Sequence, residues 1–238
     1  MFRTYPIIRY LAAVAAVVSL ALAPGLSHAQ MDAETEAKLQ MARGAENRPE
    51  SDTARDRNRK PIETLKFFGL KDDMTVIELV PGGGWYTRLL MPTLAEDGKL
   101  YLSIGIRGVA GLEDVPGFEE ATVLDVASFG ERQPSGRFDV EAFSFDVEDV
   151  DLVLTFRNMH NFSAEGRANI NAAAFEALES GGHYGVVDHT RRHMAPDYSE
   201  VRRRMDPVQI IKEVEASGFE FVDYSDLHYR PDDELVYE

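Results

Sequence analysis

Three clusters of polar residues in this chain follow directly on apolar runs. The first is Glu78 with Pro81, Gly82, Gly83 and Gly84, in the stretch M-T-V-I-E-L-V-P-G-G-G-W-Y. A carboxylate accepts hydrogen bonds from a ligand's amine or hydroxyl groups. Glycines let the backbone approach a ligand closely and leave N–H groups free to hold it. The second cluster is Arg157-Asn158-Met159-His160-Asn161, which brings a cation, an amide and a titratable base together. The third is Asp188-His189. An aspartate beside a histidine orients the ring and raises its basicity, so His160, Asp188 and His189 are candidates for general base catalysis. The same His/Asp set can bind a divalent metal, but its spacing does not match a standard zinc pattern. Plainer readings stand beside these. The glycines can serve as a tight β–α turn, and Asn158 and Asn161 can cap a helix with His160 packed against them.

The elements that must position these clusters read as follows. Thr75 to Val80 is a β-branched, apolar run of the kind buried in a parallel sheet. Pro81 has no N–H and stops the ladder. Trp85 to Leu94 is compatible with a helix until Pro92. Upstream, Pro61 opens a helix with Ile62, Leu65 and Phe68 on one face, ended by Gly69. Lys99 to Ile106 reads as a second strand. Ala121–Val126 and Phe138–Phe145 compete for the third. Val150 to Phe156 is a clear strand, and Ala164 to Ser180 an alanine-rich helix stopped by Gly181-Gly182. His183–Val187 forms the next strand. Asp206 caps a helix running to Ser217, and Phe219–Tyr224 follows as a strand. Strand–helix alternation with short turns gives an α/β fold with a parallel sheet. Ligands in such sheets bind beyond the carboxyl ends of the strands, where all three clusters lie.

The string V-I-E-L-V-P-G-G-G resembles the first motif of class I S-adenosylmethionine-dependent methyltransferases, an acidic residue followed by G-x-G-x-G. Glu78 takes the acidic position and Gly82 and Gly84 the last two glycines. Val80 stands where the first glycine is expected. The longer pattern, R-D-x-x-R-x-P at Arg55–Pro61 followed by F-F-G-L and P-G-G-G-W-Y, resembles a bacterial group of predicted exported methyltransferases. The resemblance implies an α/β, Rossmann-like class I methyltransferase fold: a mostly parallel sheet with helices on both faces. Only Leu235–Tyr237 remains for the last strand that relatives carry. It also implies an enzyme that uses S-adenosylmethionine to methylate a small molecule. Pro81, Gly82, Gly83 and Gly84 would cradle the cofactor's methionine end, and Glu78 would hold its polar groups. Ser103 stands at the second strand's end, where relatives place an acid for the ribose hydroxyls. Asp125, Arg157 and Asn158 complete the expected cofactor-binding set. His160 is the expected base, supported by Asp188 or His189. The alternative is an exported ligand-binding protein that keeps the fold without catalysis.

Composition sets the frame. The 238 residues, 44% of them hydrophobic, suffice for one sizeable domain. With 41 acidic against 25 basic side chains the net charge is −16, which repels phosphates and excludes nucleic acid as the expected partner. Arg3 and Arg9 precede an uncharged run from Tyr10 to Ala23, then Pro24-Gly25 and Ser27-His28-Ala29. This is the layout of a secretory signal peptide. The run is short for a membrane span of ~20 residues. The chain holds no cysteine, so neither a disulfide nor a lipid-bearing cysteine at this site is available. The expected organisation is a signal peptide over 1–29, a polar leader over 30–54 and a methyltransferase-like domain over 55–238. The expected location is periplasmic or secreted, with no membrane attachment after cleavage. Cleavage after Ala29 predicts a mature chain that begins at Gln30. Intact-mass spectrometry of protein from the expressing cell checks this, and a soluble chain that keeps Met1 contradicts it.

Overall fold

The computed structural model of the chain describes residues 31–198 and 201–235. The expected signal peptide and residues 236–238 lie outside these. The elements in chain order begin with helices α1 (Ala33–Arg43), α2 (Glu50–Thr53), α3 (Asp56–Arg59) and α4 (Pro61–Phe67). Strand β1 (Thr75–Leu79) leads to α5 (Thr87–Leu94), then β2 (Lys99–Ser103), a 3₁₀ turn at Ile106–Gly111 and β3 (Thr122–Leu124). After a long irregular stretch come β4 (Val150–Phe156), a short 3₁₀ turn at Met159–Asn161, α6 (Ala164–Ala177), β5 (Leu178–Val187) and α7 (Pro207–Glu215).

The sheet is wholly parallel, in the order β3-β2-β1-β4-β5. The two strands with the longest apolar runs, β1 and β4, lie side by side at its centre, in register from Val76↔Leu152 to Leu79↔Thr155. Both faces of these strands are covered. Val76, Leu152 and Leu154 pack with Leu65 of α4, Leu89 and Leu90 of α5, and Leu39 of α1. Ile77, Leu79 and Val153 pack on the other face with Ile170, Ala173 and Ala174 of α6. A parallel sheet buried on both faces needs such near-continuous apolar strands.

Several expectations are corrected. Residues 31–54, set apart in the sequence as a polar leader, pack into the domain: Met31, Leu39 and Ala42 belong to the core under α5. The Asp32 side chain caps α1 by accepting from the Thr35 N–H at 2.8 Å. Of the two candidates for the third strand, Ala121–Val126 holds it, as Thr122–Leu124. Residues 138–145 instead cross the α6 face as coil, burying Val140 and Phe145. Helix α6 stops at Ala177, and β5 starts at Leu178 with an irregular register that loops out Glu179 to Gly182 before His183 pairs with Leu152. Residues 219–224, expected as a strand, run as largely exposed coil. Phe219 docks edge-on against Phe175 and near Tyr184. The chain then leaves the sheet edge toward α4, where the Lys60 ammonium donates to the Leu227 carbonyl at 2.8 Å.

The turn after β2 is pressed onto the glycine turn after β1. A Cβ placed on Gly108 would stand 1.8 Å from the Gly82 carbonyl oxygen, whereas one on Gly111 of the same turn would touch nothing. Gly108→Ala should therefore cost ~1–3 kcal/mol through overpacking. Gly111→Ala should stay within ~0.5 kcal/mol of the parent protein. Thermal melts of the two variants side by side check this, and equal melting temperatures would mean the turns are not in contact.

Candidate active site

β1, β2 and β4 end level with one another, and the residue that follows each is left-handed: Val80 (φ +54°), Ile104 (φ +60°) and Arg157 (φ +64°). Side chains branched at Cβ seldom adopt this conformation, which costs on the order of 1–3 kcal/mol at each such residue. The Val80 φ gives a physical reason for the glycine that the motif expects at that position. The backbone N–H groups of Val80 and Arg157 still extend the ladder, donating to Ser103 O at 2.8 Å and Val187 O at 2.6 Å. Beyond them the chain turns sharply, and a cleft of about 480 Å³ opens between the loops.

The floor of the cleft carries Glu78. Its side chain points from β1 toward α5 and is almost wholly buried. The Thr87 hydroxyl donates to Glu78 Oε2 at 2.7 Å, and the second carboxylate oxygen is left to the cleft. Burial pushes the carboxyl up to about 7, opposed by the Thr87 bond. Pro81, Gly82 and Gly83 form one wall. A Cβ on Gly83 would meet no atom within 4 Å, so the backbone is open to a close ligand there. The Gly83 carbonyl accepts from Arg88 at 2.6 Å, which fixes the turn from behind.

The opposite wall comes from the ends of β4 and β5. Asp188 Oδ1 lies 2.7 Å from His160 Nδ1, and Oδ2 accepts the His160 backbone N–H at 3.1 Å. The His189 N–H donates to the same carboxylate at 2.7 Å. With Asp188 as the acceptor, His160 Nδ1 carries the hydrogen, and in the neutral ring Nε2 keeps its lone pair. His189 Nε2 in turn lies 2.7 Å from the Arg157 Nε–H and accepts from it. Burial first, and the Arg157 charge second, lower the His189 imidazole to about 4, so it is a neutral acceptor that orients Arg157. Asn158 Nδ2 donates to Phe156 O at 2.9 Å and to Val80 O at 3.3 Å, tying the two strand ends together. The side chain that caps α6 is Ser163, which accepts from the Gly166 N–H.

Glu78, Pro81, Gly82, Gly83, Arg157, Asn158, His160 and His189 thus line one cleft, with Asp188 behind His160. Three expected members stand elsewhere. Ser103 is fully buried and its hydroxyl donates to Leu124 O at 2.8 Å, joining β2 to β3. Asp125 is exposed beyond the edge strand and does not line the cleft. Gly84 (φ +78°) turns inward, where a Cβ would stand 2.7 Å from the Leu112 side chain. A further wall comes from the R-D-x-x-R-x-P and W-Y stretches: Arg55 and Arg59, with Asp52 before them, and Trp85 and Tyr86. Asp52 anchors it, taking the Trp85 indole N–H on its carbonyl at 3.0 Å and pairing with Arg55 through its carboxylate. In the sequence the charged run Arg55, Asp56 and Arg59 before Pro61 can be read as a salt-bridged lid over the site or as an exposed charged leader. Of these, Asp56 turns away to a two-bond pair with Arg48.

The Glu78 carboxyl should make stability depend on pH. Its folded value of about 7 lies above the ordinary 4.5, so the unfolded chain loses the proton first. Between these two values folding weakens as pH rises, by on the order of 3 kcal/mol in all. Glu78→Gln removes this dependence. In denaturant titrations the variant should gain on the parent protein between about pH 5 and about pH 8. A difference that stays constant with pH would mean that the carboxyl is hydrated.

No protein-family model matches the chain, and no curated protein matches it in sequence. Solved structures do. A SAM-dependent methyltransferase from Aquifex aeolicus superposes with a TM-score of 0.51 at 18% identity, over 77% of this chain and 87% of its own. Human N-acetylserotonin methyltransferase, solved in complex with SAM, gives a TM-score of 0.51 at 13% identity, over 81% of this chain. This chain spans 53% of the human enzyme's length. Together with the parallel sheet order and the helices on both faces, these likenesses establish the fold: a Rossmann-like class I methyltransferase fold.

Proposed function

We propose that the protein is an S-adenosylmethionine-dependent methyltransferase acting on a small molecule, exported by its N-terminal segment. One observation carries the reading: within this fold, the glycine turn, the buried Glu78 and the His160–Asp188 pair converge on one cleft at the carboxyl edge of β1 and β4. Among the described residues no helix is long and apolar enough to cross a membrane.

The fit to S-adenosylmethionine can be judged residue by residue. Gly83 leaves room for a ligand against the backbone, and Glu78 offers a free carboxylate oxygen to an ammonium or hydroxyl. These residues suit the polar, amino-acid end of the cofactor. When bound, the cofactor supplies a methyl group activated by a sulfonium. The chain's own contribution is placement, which converts a bimolecular encounter into an oriented one. His160 Nε2 is set to take the proton that an acceptor hydroxyl or amine must lose. The Asp188 carboxylate holds the ring in the tautomer that allows it and stabilises the charge that forms.

A second reading, a ligand-binding protein without catalysis, is favoured by one feature. The end of β2 presents no carboxylate for ribose hydroxyls, because Ser103 is spent on Leu124 O and Asp125 lies outside the cleft. Export also removes the protein from the compartment where the cofactor is made.

Calorimetric titration of the protein with S-adenosylmethionine should give binding that Gly83→Val abolishes without lowering the melting temperature. His160→Ala should leave that affinity within a few-fold and cut turnover on a responsive acceptor by roughly 10²–10⁴. Binding with no methyl transfer across a broad panel of small acceptors would favour the second reading. Absence of cofactor binding would overturn the first.

A further inference from the structure

Several of the buried or half-buried arginines of this acidic chain are matched to carboxylates. Arg48 holds Asp56, Arg55 holds Asp52, Arg137 and Arg191 share Asp197, and Arg167 holds Glu213. Two arginines of the cleft are not. Arg59 lies half-buried with its guanidinium 4.4 Å above the Trp85 ring, and its Nε has no hydrogen-bond partner. Neither it nor Arg157 forms an ion pair among the described residues; the nearby Asp52 pairs with Arg55 through Oδ1, and its Oδ2, which has no hydrogen-bond partner, is approached by Arg88 at 3.6 Å. Arg157 stands exposed at the cleft's other wall. Its Nε is fixed by His189, and neither terminal nitrogen of the fork has a hydrogen-bond partner among the described residues.

Such an arrangement is unfavourable for an empty pocket. A half-buried guanidinium with no ion pair loses hydration that the Trp85 ring and the Asp52 charge offset only in part. Burial, followed by the charges of Arg55 and Arg157, lowers the Arg59 group to about 10, in line with cations crowded around a common space. A planar fork with free N–H groups matches a carboxylate or phosphate in two-point geometry. The position also fits a purpose. Arg157 is linked through His189 and Asp188 to His160, so a group held by Arg157 lies on the wall of the cleft that carries the base.

We propose that Arg59 and Arg157 form a seat for an anionic head group, carboxylate or phosphate, of the small molecule on which the protein acts. The inference rests on the cleft being the ligand site, as proposed above, and does not require methyl transfer. The other source of the same chemistry is the carboxylate of S-adenosylmethionine itself, and the experiment separates the two.

Inorganic phosphate and succinate are titrated into the full protein by calorimetry, alone and with S-adenosylmethionine or methylthioadenosine present. The latter keeps the adenosine and sulfur but lacks the carboxylate. Arg157→Gln, Arg59→Gln and the charge-keeping Arg59→Lys are compared, with melting curves to confirm folding. Both anions should bind the parent protein. Affinity should fall roughly 10- to 100-fold in either Gln variant and by less in Arg59→Lys. S-adenosylmethionine should not displace the anion. Failure of both anions to bind, or affinities unchanged in the Gln variants, overturns the proposal. So does displacement of the anion by S-adenosylmethionine but not by methylthioadenosine, which would assign the arginines to the cofactor's carboxylate. Anion binding as expected with no S-adenosylmethionine binding leaves the seat standing and removes the methyltransferase reading.

Discussion

Three neighbouring strands must stop at one level and send their chains away from the sheet within a single residue. That constraint governs the functional end of this molecule. Val80, Ile104 and Arg157 meet it by adopting left-handed backbone conformations that their side chains disfavour. Two of them still finish the strand before them: the N–H groups of Val80 and Arg157 complete ladder bonds before the chain turns. The sharp departure keeps the loops from lying over the sheet edge and leaves the cleft between them. Strain of this kind persists only where the surroundings over-determine it. Here they do, through Asn158 bonded to Val80 O and Gly108 pressed against Gly82.

From those strand ends a single polar relay crosses the β4–β5 side. Arg157 donates to His189, whose backbone holds Asp188, which fixes His160. Each group has its donor and acceptor roles set by the next, so the network has one arrangement rather than several. The neutrality of His189 is part of that order, because a protonated ring could not accept from a guanidinium. On the β1 side, Glu78 and Thr87 form a smaller pair beneath the glycine turn. The two sides differ in chemical character: a buried acid faces a base and a cation.

How much of this was legible in the sequence follows from the range of the forces involved. β1 and β4 announce themselves because a strand buried on both faces must be apolar throughout, and the glycine turn because Pro81 ends a ladder locally. His160 and Asp188 could be paired from the sequence because both follow directly on strands that a parallel α/β order makes neighbours. The readings that failed depend on contacts remote in the chain. Ser103 looks available until Leu124 of the next strand accepts its hydrogen. Residues 138–145 alternate like a strand, yet their apolar side chains are used against α6 and find no ladder. The charged run Arg55–Arg59 could be read either as a lid or as a solvated leader, because what brings the α2–α3 wall to the site is remote, a bond from Trp85 to the Asp52 carbonyl. Its short helices carry no amphipathic signature of their own.

The irregular start of β5 bears on how the molecule meets its own copies. A parallel sheet has two open edges, and an open edge with free N–H and C=O groups is a template for another chain. At one edge β3 offers only the three residues Thr122–Leu124, too short a row to recruit a partner strand. At the other, the loop from Glu179 to Gly182 breaks the row of bonding groups and throws a charged side chain outward before regular pairing resumes at His183. A glycine pair that interrupts the strand therefore does the work that a charge or a proline does in other sheets. Only the short run from His183 to Val187 is left as a regular edge on that side.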